Sequence, residues 1–251
     1  MKDENAINFL LYSYFKLTLN SKEEEILAAA ITRAYRDASS RVLSITDETN
    51  TNKDENGEET PLLDLAKESL KEQFNNLFSN DHNLHSGYDT WFYNTCEKLS
   101  EVYSNAKSKK EENEAAFYFG HAQKWVNMTM KYLYEIKSIF KKYGTDVFTQ
   151  LTPDLEKKLH IPVDGYIMQA VTSAPEDFPL GLGIQLPNKN GKLGSYSSAK
   201  AWSKWVRDDY EKFWEQLKDY PLNKTDDSPL DWENKAWIGI AEIRKEKEKK
   251  K

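Results

Sequence analysis

The segment AAFYFGHAQKWVNMTMKYLYEIKSIFKKY, residues 115–143, decides how the fold of this chain is interpreted. After Gly120, apolar side chains recur at intervals of three and four residues as far as Phe140, which is the spacing of one face of a long helix. Residues 115–119 run into Gly120, and we therefore expect this glycine to separate two helices joined by a very short turn. The backbone amides at the start of the second helix could receive a phosphate oxygen.

The same helical spacing recurs along most of the 251 residues. Apolar residues at three- and four-residue intervals predict helices over residues 7–15, 21–45, 61–78, 88–103, 121–143, 154–159, 165–171, 202–217 and 229–243. No alternating strand pattern and no repeat of about 20 to 50 residues is visible. We therefore predict an all-α fold that is not a solenoid.

Changes in composition divide the chain into four parts. We expect an N-terminal helical subdomain over residues 1–110, a segment carrying the glycine hairpin over 111–175, and C-terminal helices that pack back on the N-terminal part over 176–243. Residues 244–251 are dominated by lysine and predict a disordered basic tail.

Composition excludes several classes of protein. The seven Trp, fourteen Tyr and eleven Phe exclude wholesale disorder, and the single cysteine, Cys96, cannot form an internal disulfide. No apolar run reaches the length of about 20 residues that a membrane-spanning helix needs, and no secretory leader is recognisable. We therefore expect a cytoplasmic protein without a membrane partner.

The net charge of −6 argues by itself against a nucleic-acid partner, but the charge is unevenly distributed. Acidic residues dominate Asp47–Glu59, whereas basic residues dominate Lys124–Lys142 and Lys189–Arg207. Such an asymmetry permits a DNA-facing surface on an acidic protein, although a solvated face is the more common role of each charged run taken separately.

Most motifs of the common enzyme classes are absent. The chain has no phosphate-binding glycine loop, no dinucleotide-binding glycine triplet and no zinc-protease motif. Its histidines are scattered, and the two that lie close in sequence, His82 and His85, have no nearby pair of carboxylates. We expect neither a metal nor a cofactor.

Three short motifs follow one another along the chain: Gln123-Lys124 behind the glycine, Lys131 farther along the same helix, and Ile161-Pro162-Val163-Asp164. Taken in this order, they resemble the helix-hairpin-helix DNA glycosylases, and most closely their archaeal 8-oxoguanine branch. The resemblance covers about residues 115–172 and implies a helical array with a cleft between two helical subdomains. The chain departs from the family at Ala122, where a second glycine is usual, and in the long segment between Lys124 and Asp164.

The resemblance implies that Lys124 is the Schiff-base lysine and Asp164 the carboxylate that acts at the sugar. A neutral lysine amine attacks C1′ of the deoxyribose, and a nearby anion stabilises the positive charge that develops there as the base leaves. The implied partner is double-stranded DNA that carries a modified or damaged base, and cleavage at the abasic site follows from the lysine chemistry.

The resemblance also implies a DNA-binding set and a pocket for the extruded base. The expected DNA contacts come from the hairpin and the helix behind it, namely Gly120, His121, Ala122, Gln123 and Lys131. The aromatic candidates for the base pocket are Trp125, Tyr166, Trp202, Trp205 and Trp232. The sequence does not select one base or one of these rings.

Each residue also has a simpler interpretation. Lys124 is equally consistent with a surface lysine, Asp164 with a helix cap and Gly120 with a helix terminator. The alternative function is a non-enzymatic helical module that binds protein or nucleic acid through basic helix faces, including the row of Arg33, Arg36 and Arg41. The glycosylase interpretation requires that the amine of Lys124 and the carboxylate of Asp164 meet.

Overall fold

The computed structural model describes residues 2–39, 51–53, 59–80, 84, 86–104, 106, 117–218 and 228–249. Helices make up most of these residues, which confirms the predicted all-α class. In chain order they are α1 (Lys2–Phe15), α2 (Glu23–Ser39), α3 (Leu62–Ser79), α4 (Tyr88–Val102), α5 (Phe119–Lys142), α6 (Pro153–Glu156), α7 (Gly165–Thr172), α8 (Arg207–Lys218) and α9 (Pro229–Lys249).

The described residues also form two short antiparallel strand pairs that the helical pattern did not predict. They are β1 (Thr51–Lys53) with β2 (Glu59–Pro61), and β3 (Leu186–Pro187) with β4 (Leu193–Gly194). The second pair is a small hairpin, in which Pro187 lies opposite Leu193. Most of the acidic segment Asp47–Glu59 lies outside the described residues.

The chain forms two compact units. The first contains Met1–Phe117 and Trp125–Leu155, and the second contains Tyr118–Lys124 and Glu156–Lys251. These boundaries differ from the three helical segments that we expected, because the division falls inside α5. The first turns of α5 belong to the second unit, and the remainder of the helix belongs to the first.

The first unit has a core of helix faces from α2, α3, α4 and the later turns of α5. The Trp125 indole donates a hydrogen bond to the Ile31 carbonyl oxygen over 3.0 Å, which joins α5 to α2. Cys96 is fully buried in α4. The hydrogen bond between Trp125 and Ile31 helps to explain why the later part of α5 groups with the N-terminal helices rather than with its own first turns.

A polar cluster lies at the edge of the first unit. The Arg33 guanidinium pairs with Asp37 over 3.2 Å and lies over the Tyr14 ring, and Tyr132 donates a hydrogen bond to Asp37. Burial, followed by the hydrogen bond to Asp37, raises the pKa of Tyr132 far above its usual value. Arg33 is therefore part of a structural network rather than of an open basic row, and Arg41 lies outside the described residues.

The second unit packs α7 against α9 and α8 against the β3–β4 hairpin. Close packing at α9 requires Gly239, because a Cβ atom there would lie 2.8 Å from the Phe178 ring. Inside this unit, the His160 ring stacks on Trp214 with ring centres 3.8 Å apart, and its Nδ1 lies 3.2 Å from the Tyr210 hydroxyl. His160 is therefore a buried core residue.

Three local expectations from the sequence need correction. Gly120 does not separate two helices: it is the second residue of α5, while Phe117 and Tyr118 are not helical and residues 115–116 lie outside the described part. The helix expected from Trp202 begins only at Arg207, since a short 3-10 turn at Trp202–Lys204 comes first. The last helix continues to Lys249 rather than fraying after residue 243.

Candidate active site

Gln123 fixes the start of α5 against the segment that precedes α7. Its side chain is fully buried, its Nε2 donates to the Val163 carbonyl oxygen over 3.0 Å, and its Oε1 accepts from the Val163 amide over 3.2 Å. Both backbone polar groups of Val163 are therefore held by one side chain. These two hydrogen bonds place Lys124, which follows Gln123, beside Asp164, which follows Val163.

Asp164 is the N-cap of α7, as the sequence predicted. Its Oδ1 accepts hydrogen bonds from the Tyr166 amide over 2.8 Å and from the Ile167 amide over 3.1 Å. Its backbone is extended, with φ −141° and ψ −174°, which is the usual conformation of a capping residue. The cap fixes one carboxylate oxygen at the helix start and leaves the other free to make a different contact.

That second oxygen meets the lysine. The Lys124 Nζ atom lies 2.8 Å from Asp164 Oδ2, although the two residues are forty positions apart in the chain. The side chains are only 10% and 16% exposed, so water has limited access to the pair. The geometric requirement of the glycosylase interpretation, an amine and a carboxylate in contact, is met.

The environment favours the ionised form of Asp164. Burial alone would raise the pKa of this carboxyl, but the charge of Lys124, its hydrogen bond and the two backbone amides outweigh burial and lower the pKa below its ordinary value. Asp164 is therefore an anion throughout the neutral range. A fixed anion beside an amine is the arrangement that stabilises positive charge developing on a bound group.

Aromatic rings surround the ion pair. Lys124 Nζ lies 5.1 Å from the centre of the Trp202 ring, and the Trp237 indole donates to Asp164 Oδ2 over 3.3 Å. Trp237 also stacks on Tyr166, with ring centres 4.8 Å apart. Trp237 is 38% exposed, so the residue that donates to the carboxylate is itself partly open to solvent.

Arg244 holds the outer side of this aromatic cluster. Its guanidinium lies 4.1 Å from the centre of the Tyr166 ring and donates to the Gly165 carbonyl oxygen over 2.7 Å and to Gln169 over 2.9 Å. It also donates to the Tyr196 hydroxyl over 3.2 Å. These bonds attach α9 to α7 and to Tyr196 at the point where we had expected the tail to begin.

The residues expected to bind phosphate at the glycine are buried. The Gly120 amide donates to the Trp205 carbonyl oxygen over 2.9 Å, and a Cβ atom at this position would lie only 1.8 Å from the Trp202 carbonyl oxygen. Ala122 and Gln123 have no exposed surface. In this structure Gly120 therefore allows two backbone segments to approach closely, and its amide does not face solvent.

His121 is also internal. Its Nδ1 accepts from the Tyr118 amide over 3.0 Å, and its ring lies edge-on to Trp202 with ring centres 5.9 Å apart. Burial lowers the pKa of this imidazole to about 4, so the ring is neutral near pH 7. His121 thus supports the ring under Lys124 and does not supply a positive charge for DNA.

The structure places the remaining predicted residues in different surroundings. Tyr166 and Trp202 lie beside the ion pair, whereas Trp125, Trp205 and Trp232 are buried with 1%, 0% and 5% exposure and fill core positions. Lys131 is half-buried on a part of α5 that belongs to the first unit. Only two of the five aromatic candidates for the base pocket therefore border the site.

Sequence reasoning missed Trp237 and Arg244. We placed Trp237 within the predicted last helix without assigning it to a site, and Arg244 in a disordered tail, although both contact the segment that begins at Asp164. One signal was available: an arginine four turns into an otherwise regular helical stretch suggests that the helix continues. Nothing in the local sequence connected either residue with a position more than seventy residues earlier.

Within the described residues, no group of three or more potential metal-ligating side chains lies together. In the same part of the chain, no helix is both long and apolar enough to cross a membrane. Comparison with known proteins finds no matching family model, no matching curated protein and no matching solved structure. The resemblance to the glycosylases stays a prediction.

Proposed function

We propose that this protein is a DNA glycosylase with abasic-site lyase activity, which removes a modified or damaged base from DNA with Lys124 as its nucleophile. The observation that carries the proposal is the 2.8 Å contact between Lys124 Nζ and Asp164 Oδ2. Two residues that were selected by a motif, and that are forty positions apart, form one shielded ion pair bordered by aromatic rings.

In the proposed reaction, Lys124 attacks C1′ of the deoxyribose. The ammonium gives up one proton, which the departing base takes up directly or through water, and the amine nitrogen forms a bond to C1′. The bond between C1′ and the base breaks, and its electron pair leaves with the base. Asp164 stays ionised and stabilises the positive charge that develops on the sugar.

The lyase step follows from the bond to nitrogen. The nitrogen passes one of its protons to the ring oxygen O4′ as the C1′–O4′ bond opens, which leaves a Schiff base between Lys124 and C1′. Transfer of a C2′ proton to water then expels the 3′ phosphate with its electron pair and cleaves the strand. Borohydride reduces the Schiff base to a stable amine, so the intermediate is open to direct detection.

The rings beside the pair offer a surface for an extruded base. Trp237 is partly exposed and backed by Tyr166, and Trp202 lies under the amine. Stacking of a flipped base on such a ring contributes about 1 to 3 kcal/mol, and this compensates for part of the cost of leaving the duplex. The three rings replace the larger set of candidates that the sequence had suggested.

The test is borohydride trapping with duplexes that each carry one abasic site or one modified base. We expect a covalent complex with the wild-type protein, and none with Lys124→Gln. The matched control is Lys200→Gln, since Lys200 is a second partly shielded lysine of the same unit and pairs with Asp209 over 2.7 Å. We expect this control to form the covalent complex at the wild-type level.

Peptide mapping of the reduced complex should place the sugar remnant on Lys124. Trapping that survives Lys124→Gln, or a wild type that is trapped by none of these duplexes, would overturn the proposal. DNA binding without any trapping would instead support the non-enzymatic module, in which Lys124 and Asp164 only stabilise the fold.

A further inference from the structure

The β3–β4 hairpin and the segment behind it form the most uniformly basic stretch of the second unit. From Lys189 to Arg207 the chain contains five basic residues and no acidic residue. Residues 188–192 form the tip of the hairpin between β3 and β4, and Lys189 and Lys192 are exposed to solvent there. A positive tip of this kind matches a negatively charged backbone in sign.

The tip has a fixed shape. Asn188 Oδ1 accepts from the Asn190 amide over 2.9 Å and from the Lys192 amide over 3.1 Å, and the Asn188 amide donates to the Lys192 carbonyl oxygen over 2.7 Å. Gly191 completes the turn with a φ of +70°, which glycine adopts without strain. Because the turn is already ordered, binding through its lysines costs little backbone entropy.

The lysines at the tip differ from Lys200 and Arg207 of the same stretch. Lys200 is paired with Asp209, and Arg207 is paired with Glu211 over 2.6 Å. Among the described residues, neither Lys189 nor Lys192 has an acidic partner within ion-pair distance. Lys212 adds a third cation, since its Nζ lies 3.4 Å from the Gly191 carbonyl oxygen.

The segment behind the tip is attached to the candidate active site at two points. The Tyr196 hydroxyl donates to the carbonyl oxygen of Gly165, the residue after Asp164, over 3.4 Å, and the Trp202 ring lies under Lys124. Lys192 is four residues from Tyr196, and four residues span at most about 14 Å. This length corresponds to roughly four base pairs of a duplex.

The backbone amides at the start of α5, which we had expected to receive a phosphate oxygen, are already hydrogen-bonded or buried. The Gly120 amide is bonded to Trp205, and Ala122 and Gln123 are buried, so the start of α5 offers no open amides in this structure. We propose that the hairpin tip, through Lys189 and Lys192 together with Lys212, holds the DNA phosphate backbone beside the nucleotide that reacts at Lys124. This inference rests on the proposed function for its choice of DNA as the partner.

The experiment measures the salt dependence of binding to a duplex that carries a single abasic site. All proteins carry Lys124→Gln, so that no strand is cleaved during the titration. The test variant adds Lys189→Gln and Lys192→Gln. The matched control adds Lys141→Gln and Lys142→Gln, which remove two adjacent exposed lysines at the end of α5 and change the net charge equally. Thermal unfolding of each protein verifies the fold.

We expect the tip variant to bind about 10- to 100-fold more weakly at low salt. The slope of log K against log salt concentration should decrease by about 2 in magnitude, or about 1 for each lost phosphate contact, and the control should keep the parent slope. An unchanged slope and affinity in the tip variant, or an equal loss in the control, would overturn the inference.

The two proposals fail separately. If the otherwise unmodified protein is not trapped by borohydride but binds DNA with a slope that depends on Lys189 and Lys192, the glycosylase proposal is wrong and the assignment of the tip stands. If trapping is normal and the tip variant binds like its parent, the catalytic proposal stands and the phosphate contacts lie elsewhere. A protein that binds no duplex would overturn the assignment of the tip.

Discussion

The second unit contains two lysine–aspartate pairs that are similar in length and different in setting. Lys124 meets Asp164 over 2.8 Å, and Lys200 meets Asp209 over 2.7 Å. Both aspartates also bond a helix start: Asp164 caps α7, and Asp209 accepts from the Val206 amide ahead of α8 over 3.1 Å. Contact distance and capping therefore do not distinguish a structural pair from a catalytic one.

The surroundings do distinguish them. Lys200 and Asp209 are nine positions apart and close a local turn, in which the Trp205 indole donates to the Lys200 carbonyl oxygen over 3.0 Å. Lys124 and Asp164 come from distant parts of the chain, and the partly exposed Trp237 bonds the same carboxylate oxygen as the lysine. An ion pair that joins distant segments beside an accessible ring is the better candidate for chemistry.

Neutralising each aspartate should produce the largest contrast between the pairs. Asp164→Asn keeps the helix cap, because asparagine caps a helix about as well as aspartate, but it removes the negative charge beside C1′. We expect base excision to slow by about 100- to 1000-fold, measured by single-turnover strand cleavage. Asp209→Asn should lower thermal stability and leave the single-turnover rate of folded protein unchanged.

Equal losses of rate in Asp164→Asn and Asp209→Asn would mean that both pairs are structural. Circular dichroism of the two variants provides the control, since a misfolded Asp164→Asn protein would slow excision for a trivial reason.

Acidification should destabilise the folded chain through His121, which lies beside the Lys124–Asp164 pair and packs against the Trp202 ring under Lys124. The pKa of this histidine is lowered to about 4 in the folded chain by burial, against about 6.5 when unfolded. As pH falls from about 6.5 to 4, the unfolded state takes up a proton that the folded state does not, so the free energy of unfolding decreases, by about 3 kcal/mol in all.

His121→Asn should flatten this dependence, because its amide oxygen can accept from the Tyr118 amide and does not titrate. Urea unfolding of both proteins between pH 7.5 and 4.5 measures the difference. Parallel curves for wild type and variant would show that His121 is not the group responsible. Loss of the Asp164 ion pair lies outside this interval, since its lowered pKa confines that loss to more acidic solutions.

The smallest expected effect concerns Trp237. Trp237→Phe keeps an aromatic ring against Tyr166 but removes the indole donor to Asp164 Oδ2. A hydrogen bond of this kind contributes about 1 kcal/mol, so we expect excision to slow by about 5-fold with little change in DNA affinity. Trp237→Ala should slow it further and weaken binding of an abasic duplex less than that of a duplex with a bulky modified base.

The outcome for Trp237 separates two roles of the ring. If Trp237→Phe matches the wild type while Trp237→Ala is impaired, the ring acts only by stacking. If both variants equal the wild type, Trp237 is not part of the site and the comparison between the two ion pairs loses one of its distinguishing features.

Local chemistry explains which parts of the site the sequence predicted. Asp164 was predicted as a cap because a short polar side chain before a helical stretch satisfies free amides, a rule that needs no tertiary contact. We expected Gly120 to lie between two helices because the spacing of apolar residues does not show which distant backbone segment packs against a glycine. Its requirement arises from the Trp202 carbonyl oxygen, which approaches from a segment eighty residues later.

Contacts between distant segments also determined the surroundings of the aromatic residues, which the sequence did not predict. Trp125, Trp205 and Trp237 have the same helical spacing of apolar neighbours in the sequence, yet two are core residues and one borders the ion pair. Their surroundings are set by contacts between segments far apart in the chain. The helical class, in contrast, follows from spacing within single segments, and this is why it was predicted correctly.

The two oxygens of Asp164 make different contacts, and this determines how the carboxylate is oriented. The α7 amides hold Oδ1, so the plane of the carboxylate is set when the helix forms, and Oδ2 is left pointing at the lysine. The orientation of the charge is thus a by-product of folding. The proposed reaction would therefore need no free energy to rotate that group into place.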